Sequence, residues 1–261
     1  MTGKKDLRFY PSRVVARFRM TGKNRRTICQ CDEERGSSIF VFMGILEADH
    51  QQRRFTILSN LFLYGTAISE TIRKEMEEEI NQLWNEARGL VWLENYPYLL
   101  CFQSKVFLFP DLKPHDIFTN KNPRNNYFRI EEYAHGSISF VDGLGCNSGY
   151  FKLENLYTGS TTAAHEYGHT LGLPHPEDLD IRGKGLPGIM YPRGTLVDPE
   201  FQYDPLIKAG EKGGTLYPVH RRVLQHDIND LQIAAHILNK VKTVGSLSSV
   251  YHERHIEEAR G

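Results

Sequence analysis

The stretch Thr161–His175, TTAAHEYGHTLGLPH, decides how the rest of the chain is read. It holds His165-Glu166-Tyr167-Gly168-His169, then Gly172, then His175, which is H-E-x-x-H-x-x-G-x-x-H with every specified position filled. Residues four apart on a helix project from one face, so His165 and His169 can grip a single ion. Imidazole nitrogen suits zinc, and three protein ligands leave a fourth position for water, the arrangement of a catalytic site. Glu166 follows the first ligand, where a carboxylate can act as general base on that water. Gly172 can adopt the left-handed conformation that ends the helix, so the chain swings round and returns His175 as third ligand. Three His, one Glu and one Gly at these offsets arise by chance roughly once in ten million start positions at ordinary residue frequencies. A helix with incidental surface histidines is the weaker reading. The expectation is one catalytic zinc ion held by His165, His169 and His175.

The motif resembles that of the metzincin zinc peptidases, and a second stretch carries the same likeness. Gly188-Ile189-Met190-Tyr191-Pro192 looks like the methionine-containing turn beneath the metal in that family, with Met190 as the turn residue. The subfamily marks are mixed. Pro176, directly after the third ligand, resembles serralysins, whereas Met190-Tyr191-Pro192 resembles matrixins. Serralysins and astacins place a tyrosine two residues after the methionine; Pro192 stands there in this chain, so no metal role passes to Tyr191.

The resemblance implies an α+β fold: a metzincin-type zincin catalytic domain with a twisted mixed sheet, an active-site helix and a C-terminal helix. It implies a zinc endopeptidase, with Glu166 assisting a water at the metal and with Gly172 and Met190 supporting the site. A protein or peptide substrate would add as a strand to the sheet edge upstream of the zinc helix, for which Gly136–Val141 (GSISFV) is the candidate. Individual substrate-binding residues are not identified. The layout that follows is a basic N-terminal extension with strand character over about 1–50, a catalytic domain over about 51–245 and a polar tail over about 246–261. The catalytic domain divides into an upper subdomain to about residue 172 and a lower one after it.

Composition sets the outer bounds. A hydrophobic share of 40% and a charged share of 25% are those of a globular domain. Net charge is zero, so bulk electrostatics points to neither nucleic acid nor an acidic membrane as partner. No apolar run reaches the roughly 18 residues of a membrane helix, so membrane insertion is not expected. The start, MTGKKDLRFYPSRVVARF, lacks the apolar core of a Sec signal peptide. The protein is then read as cytoplasmic or exported by a specialised secretion route. A toxin or effector protease with a dedicated inhibitor or immunity protein is the matching role.

Within the basic leader, Ala16, Phe18 and Met20 alternate with Arg17 and Arg19, a half-exposed strand better suited to docking protein than nucleic acid. Cys29, Cys31, Cys101 and Cys146 form no CxxC pair and are read as reduced thiols, Cys146 in a loop. Glu177, Asp178 and Asp180 lack the ligand periodicity of a calcium loop and read as a solvated turn, so calcium is not indicated. The rival function is a zinc-containing binding module without turnover. Glu166 argues against it, because a structural zinc prefers a closed shell of four ligands.

Periodicity places a long amphipathic helix at Ser69–Arg88, with Ile72, Met76, Ile80, Leu83, Trp84 and Ala87 on one face. Strands are expected at Ser38–Leu46, Phe55–Tyr64, Leu90–Trp92, Tyr98–Pro110, Tyr127–Ile130, Gly136–Val141 and Tyr150–Tyr157. Glu47–Arg54 and Asp111–Asn126 read as connectors. The zinc helix should run from about Thr162 to Leu171, capped by Thr161 or Ser160. Tyr191–Gly214 is loop-like, Val219–Lys240 a final helix, and the tail beyond Val244 polar and frayed.

Overall fold

The run FTILSNLFLY is apolar at successive positions, which demands cover on both faces of a strand. In the computed structural model it forms β2 (Arg54–Tyr64), the middle of a seven-stranded mixed sheet. The structure describes residues 44–239, 246–247 and 250–256, all within the compact unit Ile39–Gly261. The readings of the basic leader, of Cys29 and Cys31, and of most of the Ser38–Leu46 strand lie outside the described residues.

β2 pairs in parallel with β4 (Tyr96–Leu108) on one side. Its other side is shared between β1 (Ile45–Asp49, antiparallel) and β5 (Asn125–Glu131, parallel). β3 (Leu90–Leu93) pairs antiparallel with β4. At the opposite end β7 (Ser148–Lys152) runs parallel to β5, and β6 (Phe140–Val141) closes the sheet antiparallel to β7. The order is β3-β4-β2-β5-β7-β6.

α1 (Glu70–Glu86) begins where the Ser69 hydroxyl accepts the Ile72 N–H at 3.2 Å, and it buries Met76, Ile80, Leu83 and Trp84. A polar stripe at helical spacing does a second job. β3 covers only the first residues of β4, and farther along, β4 is met by α1 side chains. Asn85 exchanges hydrogen bonds with the backbone of Phe102 (3.0 and 2.9 Å), and Asn81 does the same with Ser104 (2.9 and 2.8 Å). Glu77 accepts from the Val106 N–H at 2.8 Å. Four residues of helix rise about 6.0 Å and two residues of strand about 6.8 Å, so an i, i+4 stripe can track every second residue of a strand. Glu77, Asn81 and Asn85 thereby satisfy an edge that would otherwise be open.

Several elements differ from the sequence reading. The final helix expected over Val219–Lys240 is a single turn at Pro218–His220, then α4 (Gln225–Asp230), then α5 (Ile233–Leu238). The break falls at Gln232, whose φ is 49°, while Asp227 starts α4 by accepting the Leu224 N–H at 2.7 Å. Ile228, Leu231 and Ile233 are buried on both sides of the break, so the apolar period runs through it unseen. Asp111–Asn126 contains a short helix, α2 (Pro114–Phe118), with proline at its start and Asp116 accepting the Lys113 N–H at 2.8 Å. The Glu47–Arg54 connector is in part strand, being most of β1. β4 begins at Tyr96, ahead of the expected Tyr98, and admits Pro97 because pairing with β2 starts only at Leu99 and one side of the strand is still open there. Tyr150–Tyr157 is strand only to Lys152, then turns at Leu153–Asn155.

The tail is not frayed over the part described. Tyr251 stacks on Tyr64 at 5.3 Å, the His252 N–H donates to the Tyr64 hydroxyl (3.0 Å), and Arg129 donates to the His252 carbonyl (2.9 Å). Among the described residues no helix is long and apolar enough to cross a membrane.

Candidate metal centre and its cleft

α3 (Thr162–Thr170) carries the first two histidines and is buried along nearly its whole length. Thr161 does not cap it. Its φ is 53°, and its hydroxyl donates instead to the Pro218 carbonyl at 3.1 Å. The free N–H groups of the first turn are met by the Ser160 hydroxyl, which accepts from Thr162 (3.2 Å), and by Glu79 of α1, which accepts from Ala164 (3.1 Å). Burial raises the Glu79 carboxyl, and those helix N–H bonds pull it back. The indole N–H of Trp84 donates to the Ala164 carbonyl at 3.1 Å, and Tyr167 hydrogen-bonds Ser59 of β2 at 2.9 Å, locking α3 between α1 and the sheet.

The helix ends at Gly172, with φ at 90° and the Leu173 N–H returning to the Gly168 carbonyl at 3.0 Å. That turn carries His175 back. Its Nε2 lies 3.0 Å from His165 Nε2 and 3.1 Å from His169 Nε2, and one ligand atom of each ring falls within 4.8 Å of the others. The other nitrogens are fixed from outside. His165 Nδ1 donates to the Ile189 carbonyl and His169 Nδ1 to the Leu173 carbonyl, both at 2.7 Å. A carbonyl oxygen only accepts, so both rings carry their hydrogen on Nδ1 and turn bare Nε2 lone pairs towards His175. One hydrogen on His175 cannot serve both neighbours well; a cation among the three serves all of them. Tetrahedral zinc with Zn–N near 2.05 Å has N···N edges of about 3.3 Å, close to this spacing. Burial holds His165 well below the usual imidazole range and pushes His169 down to about 4, and His175 is also lowered, with the nearby Arg221 charge adding to each. Neutral imidazoles are what a metal requires.

Glu166 lies in the same cleft, buried, with Oε2 lacking a hydrogen-bond partner. Burial pushes its carboxyl up to about 8, against the opposing pull of Arg221 and the Val141 backbone amide. The cleft has a volume of about 570 Å³, with β6 and the residues leading into it along one side and Arg193 and Arg221 on its lining. Gly136–Val141 was expected as a strand; a turn at His135–Ser137, with Gly136 at φ 69° and Ser137 at φ 55°, leaves only Phe140–Val141 paired.

Met190 is buried against α3, and a Cβ on Gly168 would come within 2.3 Å of its sulfur. Gly168 occupies a free position of the histidine motif, so its need was invisible without Met190 packed against it. Glu79, Arg193 and Arg221 also went unread, since none belongs to a local pattern. Cys146 sits 3.4 Å from the Ser246 hydroxyl and does not line the cleft. Asp178 pairs with Lys184 and Asp180 with Arg182, each at 2.5 Å.

Models of known protein families give no match to this sequence, and neither do curated proteins. Among solved structures, the chain is similar to an archaemetzincin from Methanopyrus kandleri, at 14% identity over 68% of this chain and 96% of that one, with a TM-score of 0.33. It is also similar to myroilysin, at 14% identity over 83% of this chain and 70% of that one, with a TM-score of 0.26. Overlays this loose carry no weight for function, which is read from the cleft itself.

Proposed function

We propose that the cleft is the active site of a zinc-dependent endopeptidase of metzincin type. One observation carries the reading: three imidazoles converge within 4.8 Å on a cleft that also holds a buried carboxylate with one oxygen free of any hydrogen-bond partner. His165, His169 and His175 would hold a single zinc ion, their rings oriented by the carbonyls of Ile189 and Leu173. Bound there, zinc supplies Lewis acidity to the scissile carbonyl and to the attacking water.

Glu166 takes the proton from that water and delivers it to the departing amine. Burial alone holds its carboxyl in the protonated form, and a cation nearby favours the charged form that a base needs. Met190 keeps α3 seated through its contact at Gly168, and Gly172 makes the turn that returns the third ligand. β6 is the last strand of the sheet and borders the cleft, so an extended peptide can add to it through main-chain hydrogen bonds.

Cleavage-site profiling on a proteome-derived peptide library, with and without chelator, tests this. Cuts that vanish with chelator and return with zinc are expected. A chain that binds zinc and cuts nothing would be a binding module without turnover.

A further inference from the structure

We infer that Arg221 makes this cleft selective for a substrate carboxylate presented beside the scissile bond. The inference rests on reading the cleft as a peptide site. Arg221 is fixed from both directions. Its N–H donates to the Pro218 carbonyl at 3.0 Å, and the same carbonyl accepts from Thr161 at the start of α3. The next residue, Arg222, donates its N–H to Pro187 at 3.0 Å and bridges to Gly188, two residues before Met190. The backbone that bears Arg221 is therefore tied to the zinc helix and to the methionine turn.

The side chain is 3% exposed and lines the cleft, and its Nε has no hydrogen-bond partner. Buried guanidinium groups are ordinarily paired, because an unpaired buried charge is costly. Glu166 is the carboxylate that shares the cleft, yet its own Oε2 is also unpartnered, so the two do not neutralise each other by contact. Arg193 adds a second positive charge. Its hydrogen bonds go to neutral oxygens, Asn155 Oδ1 and Thr162 Oγ1, both at 3.4 Å. Glu166 and Glu79 offset the Arg221 charge only through space, and neither guanidinium has an acid in ion-pair contact among the described residues, so a direct ion-pair partner is left for a ligand to supply. The planar fork of arginine matches a carboxylate. In a peptide this group is an aspartate or glutamate side chain, or the terminal carboxylate of a substrate that ends there.

The test uses fluorescence anisotropy with the zinc-loaded Glu166→Ala chain, which reads binding without turnover. Labelled neutral hexapeptides carry one glutamate, moved along the sequence and compared with glutamine. A matched series ends in a free carboxylate or an amide. At one position glutamate, or the free terminus, should bind at least about 10-fold tighter than its neutral counterpart. In a Glu166→Ala/Arg221→Gln chain the preference should fall below about 3-fold, with Arg193→Gln intermediate. Arg221→Lys keeps the charge without the fork and guards against a folding defect; at unchanged melting temperature and zinc content it should lose most of the preference.

Preference for an internal glutamate assigns an endopeptidase subsite, and preference for the free terminus alone assigns a carboxypeptidase; both uphold the inference. Equal affinity at every position, no binding of any peptide, or a preference that survives Arg221→Gln and Arg221→Lys would overturn it. If the unmutated chain cuts no peptide while the acidic preference holds, the peptidase reading falls and the carboxylate subsite stands.

Discussion

The two sides of the cleft are built by different means. On one, α3 and β6 place His165, Glu166, His169 and Val141 through regular hydrogen bonding, and Gly172 returns His175 within a few residues. On the other, Ile189–Arg193 and Pro218–Arg221 belong to no sheet. The Gly188↔Arg222 bridge joins their flanks, Ile189 and Met190 pack into the main core, and Tyr191 packs against a small apolar cluster of Ile181, Val197 and Leu216. The regular side carries three imidazoles at fixed offsets that could hold a metal ion. The irregular side carries charges whose position depends on contacts remote in sequence. On the proposed reading, chemistry sits on the first and selectivity on the second.

That contrast can be broken at several points. The largest effect is expected at His169→Ala, which removes a ligand from the regular side. Zinc affinity, followed by competition with a chromogenic chelator, should weaken by more than about 100-fold, beyond what loss of an outer partner costs. Next comes acid. In the metal-free chain His165 and His169 have folded pKa values below their unfolded one, so the unfolded state binds more protons as pH falls below about 6.5. The histidine contribution to stability should be full above that value and decline towards pH 4, whereas Glu166, raised to about 8, contributes with the opposite sign up to that pH. Melting temperature against pH in a Glu166→Gln background, with and without zinc, isolates the histidine part.

Gly168→Ala forces a Cβ to 2.3 Å from Met190 sulfur and should cost about 1–3 kcal/mol in urea unfolding. Asn81→Ala removes both bonds to Ser104 on β4 and should cost about 1–2 kcal/mol by the same measurement. Smallest is Leu206→Ser, 93% exposed in the irregular stretch between Arg193 and Pro218, which should stay within about 0.5 kcal/mol. A large loss there would mean that the segment packs against something further.

The same contrast explains what could be read from residues alone. The histidine motif, Gly172 and the α1 face depend on spacing within one element, and the apolar runs of β2 and β4 announce buried strands. Gly168 depends on Met190, Arg221 on Pro187 and Thr161, and the stripe Glu77, Asn81, Asn85 on the edge of β4. Each needs a partner at least 17 residues away, which no local period reveals. Glu79 caps α3 from 85 residues away, beyond the reach of a local signal, whereas Ser160 beside the helix start accepts the Thr162 N–H as expected. The break between α4 and α5 escaped for the opposite reason: the apolar period continues across it while Gln232 turns the backbone.

On the proposed function, Glu166 acts as the base of a hydrolytic centre held by three histidines. Its most direct test is peptide hydrolysis by the unmutated chain and by Glu166→Gln, compared at equal zinc content. One zinc per chain in both, chelator-sensitive cleavage by the first and a loss of at least about 100-fold in the second are predicted. Full zinc with no cleavage by the unmutated chain, or undiminished cleavage by Glu166→Gln, would contradict it.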